Sequence, residues 1–251
     1  MKSPQIKWIR SDDPPDAFPD IESAFEVPDG LLAAGGDLSK ERLLYAYCHG
    51  IFPWFDDGQP ILWWSPDPRC VLHPESLRLS RRTLRSPNKS DFRIQFNTAF
   101  DDVVAGCAAE RAGQPGTWIT SEMRSAYRAL HEQNWAHSIE VWTSEGLVGG
   151  LYGLAIDRIF FGESMFSRES NASKAAMLAL CHLLLENNFR LLDCQVESTH
   201  LMSLGATLMP RQQFSSILQN ACSGYVPFTL WPAEPRNIGD FLPGNRPDAL
   251  H

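Results

Sequence analysis

The sequence lacks the marks of several protein classes. Its six cysteines are scattered, with no C-x-x-C pair, so reduced and mostly buried thiols are expected in place of a disulfide framework. His131 and His137, like His182 and His200, have no Cys or Glu partners at zinc-finger or H-E-x-x-H distance, and no metal ion is expected. The opening residues contain no apolar h-region, so no signal peptide is read. The longest apolar stretch, 175–185, is broken by His182. It is too short to span a bilayer and reads as a buried helix; no membrane partner and a cytoplasmic location are expected. Positive charge is scarce as well. With 22 Lys and Arg against 30 Asp and Glu, the formal net charge is −8, so the protein as a whole repels nucleic acid and any RNA contact needs a local basic patch.

What remains is a chain of 251 residues, 43% hydrophobic and 21% charged, long enough for one large domain or two modest ones. That composition excludes a wholly disordered chain, a collagen and a coiled coil. Residues 1–36 are rich in Pro, Gly and Asp and read as an extended, turn-laden arm. Asp37 or Ser39 can cap a helix over 40–49, and Gly50 can stop it. An aromatic and proline-rich loop follows, so residues 1–65 are expected to form a small N-terminal domain. The body, 66–231, reads as strand 71–79, strand 94–96, helix 99–111, helix 121–134, and strands 137–142, 147–156 and 159–166 as a meander. Helix 172–188 and strand 190–196 then follow. This β-β-β-α-β order points to an α+β fold, a GNAT-like acyltransferase domain with a mixed β-sheet flanked by helices. From 232 to 251 four prolines and little apolar content predict a loose tail.

Four groups of residues carry candidate chemistry. Asp193 and Gln195 are two apart on one strand and so share a face. Polar side chains there need partners or a purpose, and the plain alternative is a hydrogen-bonded pair that fixes the strand. Glu163 lies between Phe161 and Met165, where a carboxylate is costly unless it meets a cation; Gly162 beside it permits close approach of a ligand. The alternative is an edge-strand Glu facing solvent. Trp54 and Trp118, both in loops, can stack on bases or simply pack. Finally, Arg78 to Arg93 contains six basic residues (among them Arg78, Arg81, Arg82 and Arg85) against a single acid, a run that can track phosphates or remain a solvated surface.

Nine strings in order resemble the leucyl/phenylalanyl-tRNA–protein transferases of the N-end rule pathway. They are GLLAAGGDLS (30–39), GIFPWF (50–55), ILWWSPDPR (61–69), GTWIT (116–120), HSIEVW (137–142), GESMFSR (162–168), NASK (171–174), DCQV (193–196) and SLGA (203–206). The resemblance implies an enzyme that moves Leu or Phe, less readily Met, from Leu-tRNA or Phe-tRNA onto the N-terminal Arg or Lys of an acceptor protein, marking it for degradation. It implies no cofactor, and a monomer is expected. It carries the catalytic pair onto Asp193 and Gln195, and the acidic pocket residue onto Glu163 beside Gly162. It places the tryptophans flanking the terminal adenosine at Trp54 and Trp118, and an apolar pocket at Leu151, Met165, Met177, Leu180 and Leu192. Leu180 stands where family members carry an aromatic residue. Arg78, Arg81, Arg82 and Arg85 fall in the family's tRNA-binding cluster.

The implied chemistry needs no strong base, because the ester is already activated and an N-terminal amine has a pKa near 7.7–8.0. Gln195 is expected to accept a hydrogen bond from the amine, with Asp193 orienting the Gln195 amide and its negative field favouring the developing ammonium. A CoA-dependent N-acyltransferase on the same fold is the alternative; the turn SRESNAS lacks the glycines that cradle a pyrophosphate. A non-catalytic module binding tRNA or N-terminal peptides is the second.

Overall fold

A computed structural model describes residues 6–79, 91–109 and 119–242. Trp118, Arg81, Arg82 and Arg85 lie outside the described residues.

Strands β1 (Lys7–Ile9) and β2 (Leu31–Gly35) precede helix α1 (Lys40–Cys48), which is followed by β3 (Phe52–Pro53) and β4 (Leu62–Trp64). They form a four-stranded sheet in the order β1-β2-β4-β3, with β1 and β2 parallel. Over its described part, 6–36, the arm is thus more ordered than its composition suggests. Strands of three and five residues are too short to show a period, and the arm is held from outside. The Arg42 guanidinium, 1% exposed, donates to the carbonyls of Asp13 and Pro14 and to the Asp37 carboxylate.

The second sheet is larger. In chain order come β5 (Arg69–Leu72), β6 (Arg93–Phe96), α2 (Phe100–Ala108), α3 (Ser121–Glu132), β7 (Ala136–Thr143), β8 (Gly146–Ile156), β9 (Ile159–Ser167) and α4 (Ala172–Glu186). Then follow β10 (Leu191–Gln195), α5 (Thr199–Ser203), β11 (Thr207–Met209), α6 (Arg211–Ala221) and β12 (Arg236–Asn237). The strand order is β11-β5-β10-β9-β8-β7-β6-β12. Strands β7, β8 and β9 form an antiparallel meander, and α4 returns the chain so that β10 runs parallel to β9. This is the β-β-β-α-β order expected from the sequence.

Both faces of this sheet are covered, so successive residues are buried on opposite sides. On β9, Ile159 and Phe161 join a core shared with α1, α2, α3, α6 and the small sheet, whereas Phe160 joins the core under α4. Each such buried side chain is worth roughly 1.5–3 kcal/mol. Helix α4 lies so close to β8 that a Cβ on Gly149 would come within 2.5 Å of the Ala172 Cβ. Tyr47 and Trp63 of the small sheet's layer share one core with Phe161 and Leu191, which brings α1 against the centre of the large sheet.

Two expectations are corrected. The strand expected over 71–79 ends at Leu72, because Pro74 has no N–H for a ladder and opens a 3-10 turn, Pro74–Ser76. The segment expected to be loose from Pro232 packs over its described part. Strand β12 pairs with β6, while Ile238 and Phe241 are buried in the core under α4. A few well-spaced apolar anchors outweigh a polar, proline-rich composition. Among the described residues no helix is long and apolar enough to cross a membrane, and no three His, Cys, Asp or Glu side chains are grouped to hold a metal ion.

Candidate active site

The site begins where two parallel strands part. Pairing of β9 with β10 ends at Phe161 opposite Asp193. Just beyond, each strand bulges. On β9, Gly162 pairs with Gly153 and Ser164 with Tyr152, leaving Glu163 as the extra residue. On β10, Asp193 pairs with Val71 and Gln195 with Cys70, leaving Cys194 as the extra residue. Bulges bend a strand and re-aim its side chains. Side by side, these two bracket a cavity of about 750 Å³. Its walls include Leu151, Gly162, Glu163, Met165, Met177, Leu180, Leu192 and Asp193, together with Phe160, Phe166, Arg168, Ser173, Cys194 and His200. Met177 and Leu180 are one turn apart on α4 and so face the same way.

Glu163 is 9% exposed. Its carboxylate accepts hydrogen bonds from the Tyr47 hydroxyl (2.7 Å to Oε1), the Tyr127 hydroxyl (2.7 Å to Oε2) and Gln195 Nε2 (2.8 Å to Oε1). The two phenols also touch each other. Burial pushes the Glu163 pKa up to about 7; the three donors oppose that rise, and the nearby Asp193 charge adds to it. Burial, then the Glu163 charge, holds both tyrosines well above the usual phenol range, so they remain donors. Among the described residues no cation pairs with Glu163. Two phenols and an amide satisfy the carboxylate without neutralising it, and that is why its proton affinity lies near neutrality.

Asp193 is fully buried and meets a cation that the sequence reading did not assign. Arg69, 1% exposed, donates Nε to Oδ1 at 2.8 Å and Nη2 to Oδ2 at 2.7 Å. Its remaining nitrogen, Nη1, donates to the Gly50 carbonyl at 3.0 Å, and the guanidinium lies over the rings of Phe52 and Phe214. Asp193 is paired in this way, yet its charge still reaches Glu163. It does not hold the Gln195 side-chain amide, which corrects the expectation. Asp193 Oδ1 instead accepts the Gln195 backbone N–H at 2.9 Å, steadying a left-handed backbone (φ 63°) that a non-glycine residue seldom adopts. Glu163 orients the amide by taking its NH₂, which turns the Gln195 carbonyl oxygen away from the carboxylate.

Eight of the expected site residues therefore line one cavity, and Gln195 joins them through Glu163. Trp54 does not line it. It stands 43% exposed beyond β3, its carbonyl accepting the Trp64 indole N–H. Arg78 is exposed just after the 3-10 turn, with its backbone N–H bonded to the Leu204 carbonyl. Tyr47, Tyr127 and Arg69 went unassigned in the sequence. The buried Asp193 was the signal for Arg69, since such a charge requires a partner, whereas nothing local marks the two tyrosines as other than core.

Residues 71–219 match the family described as leucyl/phenylalanyl-tRNA protein transferase, and residues 36–67 match its N-terminal domain. The leucyl/phenylalanyl-tRNA–protein transferase of Saccharophagus degradans is 52% identical over 89% of this chain and 91% of its own. That of Aromatoleum aromaticum is 55% identical over 86% and 90%. A solved GCN5-related N-acetyltransferase-like protein from Streptococcus suis overlays 64% of this chain and 59% of its own at 11% identity, with a TM-score of 0.32, a likeness too loose to carry an argument. On the strength of the family match and these relatives, the chain belongs to the leucyl/phenylalanyl-tRNA protein transferase family.

Proposed function

We propose that the protein takes leucine or phenylalanine from an aminoacyl-tRNA and joins it to the N-terminus of an acceptor protein whose first residue is Arg or Lys. It acts as a cytoplasmic monomer, with an N-terminal unit of residues 1–65 leaning on a catalytic unit of 66–231. Family membership supports the transfer. The observation that carries the assignment of roles is Glu163, a carboxylate with a pKa pushed up to about 7 on the wall of an apolar cavity.

Leu151, Met165, Met177, Leu180 and Leu192 receive the donor side chain, and burying a leucine there is worth roughly 1.5–3 kcal/mol. Flexible methionines adapt the walls to Leu, Met or Phe. The acceptor arrives mainly as an ammonium, since its pKa is near 7.7–8.0. Glu163 takes one proton from it. The freed lone pair attacks the ester carbonyl carbon while the Gln195 carbonyl oxygen accepts a hydrogen bond from the same nitrogen. As the tetrahedral intermediate collapses, the ester C–O bond breaks and a second proton from nitrogen passes to the departing ribose oxygen. Glu163 later releases its proton to solvent. Arg69 and Asp193 act as positioning residues, holding the bulge that carries Gln195. Trp54 and Trp118 flank the terminal adenosine, and Arg78, Arg81, Arg82 and Arg85 contact the tRNA body.

Incubation with labelled Leu-tRNA and an Arg-initiated peptide tests the reading. Label on the peptide's α-amine supports it; label only on tRNA or on free leucine, or product formed from acetyl-CoA instead, defeats it.

A further inference from the structure

We propose that the first turn of α4, with Lys174, Arg168 and His200 around it, is a subsite for the phosphodiester on the 5′ side of the donor's terminal adenosine. The inference rests on the donor being an aminoacyl-tRNA. Its anchor is Ser173, which lines the cavity, is 8% exposed, and sits one turn before Met177 on the same face of α4. Among the described residues its hydroxyl has no hydrogen-bond partner. Because Ser173 lines the cavity, that free hydroxyl is open to a hydrogen bond with a ligand held there.

The helix end around it is electrically open. Asn171 supplies no side-chain cap, and the first turn contains no acid. The Ala172 N–H is taken by the Glu169 carbonyl and the Ser173 N–H by Ser167 Oγ, but the Lys174 N–H has no partner among the described residues. The positive end of the helix dipole therefore lies beside Ser173, which lines the cavity.

Two cations, Arg168 and Lys174, gather at the same place on a chain whose net charge is −8, and a neutral His200 imidazole joins them. Arg168 lines the cavity, fixed by the Leu147 carbonyl and by the Phe166 ring beneath it. His200 lines it from α5, near enough to Lys174 that the ammonium, after burial, lowers its proton affinity. Glu169 is the one acid between Arg168 and Lys174. With the aminoacyl side chain seated on Met177 and Leu180, one turn deeper, the donor's ribose and its 5′ phosphate lie toward Ser173.

Two minimal donors test this: leucyl-adenosine and the same compound bearing a 5′ phosphate, each with an Arg-initiated peptide. The wild type should use the phosphorylated donor about tenfold better in kcat/KM, the scale of one charge-assisted hydrogen bond. In Ser173→Ala, and separately in the surface variant Lys174→Gln, that ratio should fall toward one while circular dichroism and Tm confirm the fold. Inorganic phosphate should compete only with the phosphorylated donor. A wild-type ratio of one, a ratio unchanged in both variants, or equal inhibition of both donors by phosphate would each overturn the subsite. No transfer from either donor, or from Leu-tRNA, would overturn the transferase reading along with it, a result distinct from the other three.

Discussion

Arg69 and Asp193, 124 residues apart in sequence, meet as a bidentate pair with neither side chain more than 1% exposed. They join β5 to the strand that carries Gln195, and Arg69 also grips the Gly50 carbonyl at the end of α1. One ion pair thus ties three segments that converge on the cavity.

Removing Arg69 strands a buried carboxylate, a change that costs about 3–5 kcal/mol in comparable pairs. Arg69→Met should therefore lower the urea-unfolding free energy by about that amount. Arg69→Met/Asp193→Leu should recover part of the loss, because the orphaned charge is gone. Additive losses in the double-mutant cycle would show that the pair is not coupled. Arg69→Lys should not restore turnover, since a single ammonium cannot reproduce the fork that serves both Asp193 and Gly50.

Glu163 links activity to pH. As a base it must be ionised, so kcat/KM should be low below pH 6 and rise through about 7, and Glu163→Gln should remove that limb. Stability should move in the opposite direction. The carboxyl's pKa is raised from 4.5 to about 7 on folding, so the folded state binds the proton more tightly. Its stabilising contribution is complete below pH 4.5 and is lost as pH rises through 7, an effect on the order of 3 kcal/mol. Relative to Glu163→Gln, the wild type should lose urea-unfolding free energy between pH 5 and 8. A constant difference across that range would show that Glu163 does not titrate there.

The Tyr127 hydroxyl favours the ionised form of Glu163 by donating to Oε2. Tyr127→Phe deletes that donor and keeps the ring. The Glu163 pKa should move further up, and the rising limb of the pH–rate profile should shift to higher pH with it. A profile that merely drops in height, with its midpoint fixed, would mean that Tyr127 serves packing alone.

The sequence displays the parts of this site that repeat and conceals those that do not. The meander and α4 are legible because 137–142 alternates, turn residues separate it from two further strand-like runs, and α4 is a long apolar run that begins after cap residues. The apolar wall follows from them. Both bulges are invisible in the pattern: strict alternation puts Asp193 and Gln195 side by side, whereas the extra residue at Cys194 separates their roles. The partners of Glu163 come from α1 and α3, and only the folded arrangement of separate segments brings Tyr47 and Tyr127 to one carboxylate. Pro232 onward shows the converse, since a polar composition hides the anchors Ile238 and Phe241.

Leu180 is fully buried and lines the cavity beside Met177. Truncating it to alanine enlarges a space that is already open, so the loss in stability should lie near the lower end of the 2–5 kcal/mol usual for such changes, about 2 kcal/mol. Its effect on substrate choice should be larger. A leucyl group would leave the added volume empty and lose contact with the wall, while a phenylalanyl ring would extend into it. The kcat/KM ratio for Phe-tRNA over Leu-tRNA should therefore rise about tenfold in Leu180→Ala, the scale set by one or two methylenes in an apolar pocket. Leu180→Phe should move the ratio the opposite way by narrowing the same wall. If both substitutions leave the ratio where it is in the wild type, the donor side chain does not reach α4, and the aminoacyl pocket must be placed elsewhere in the cavity.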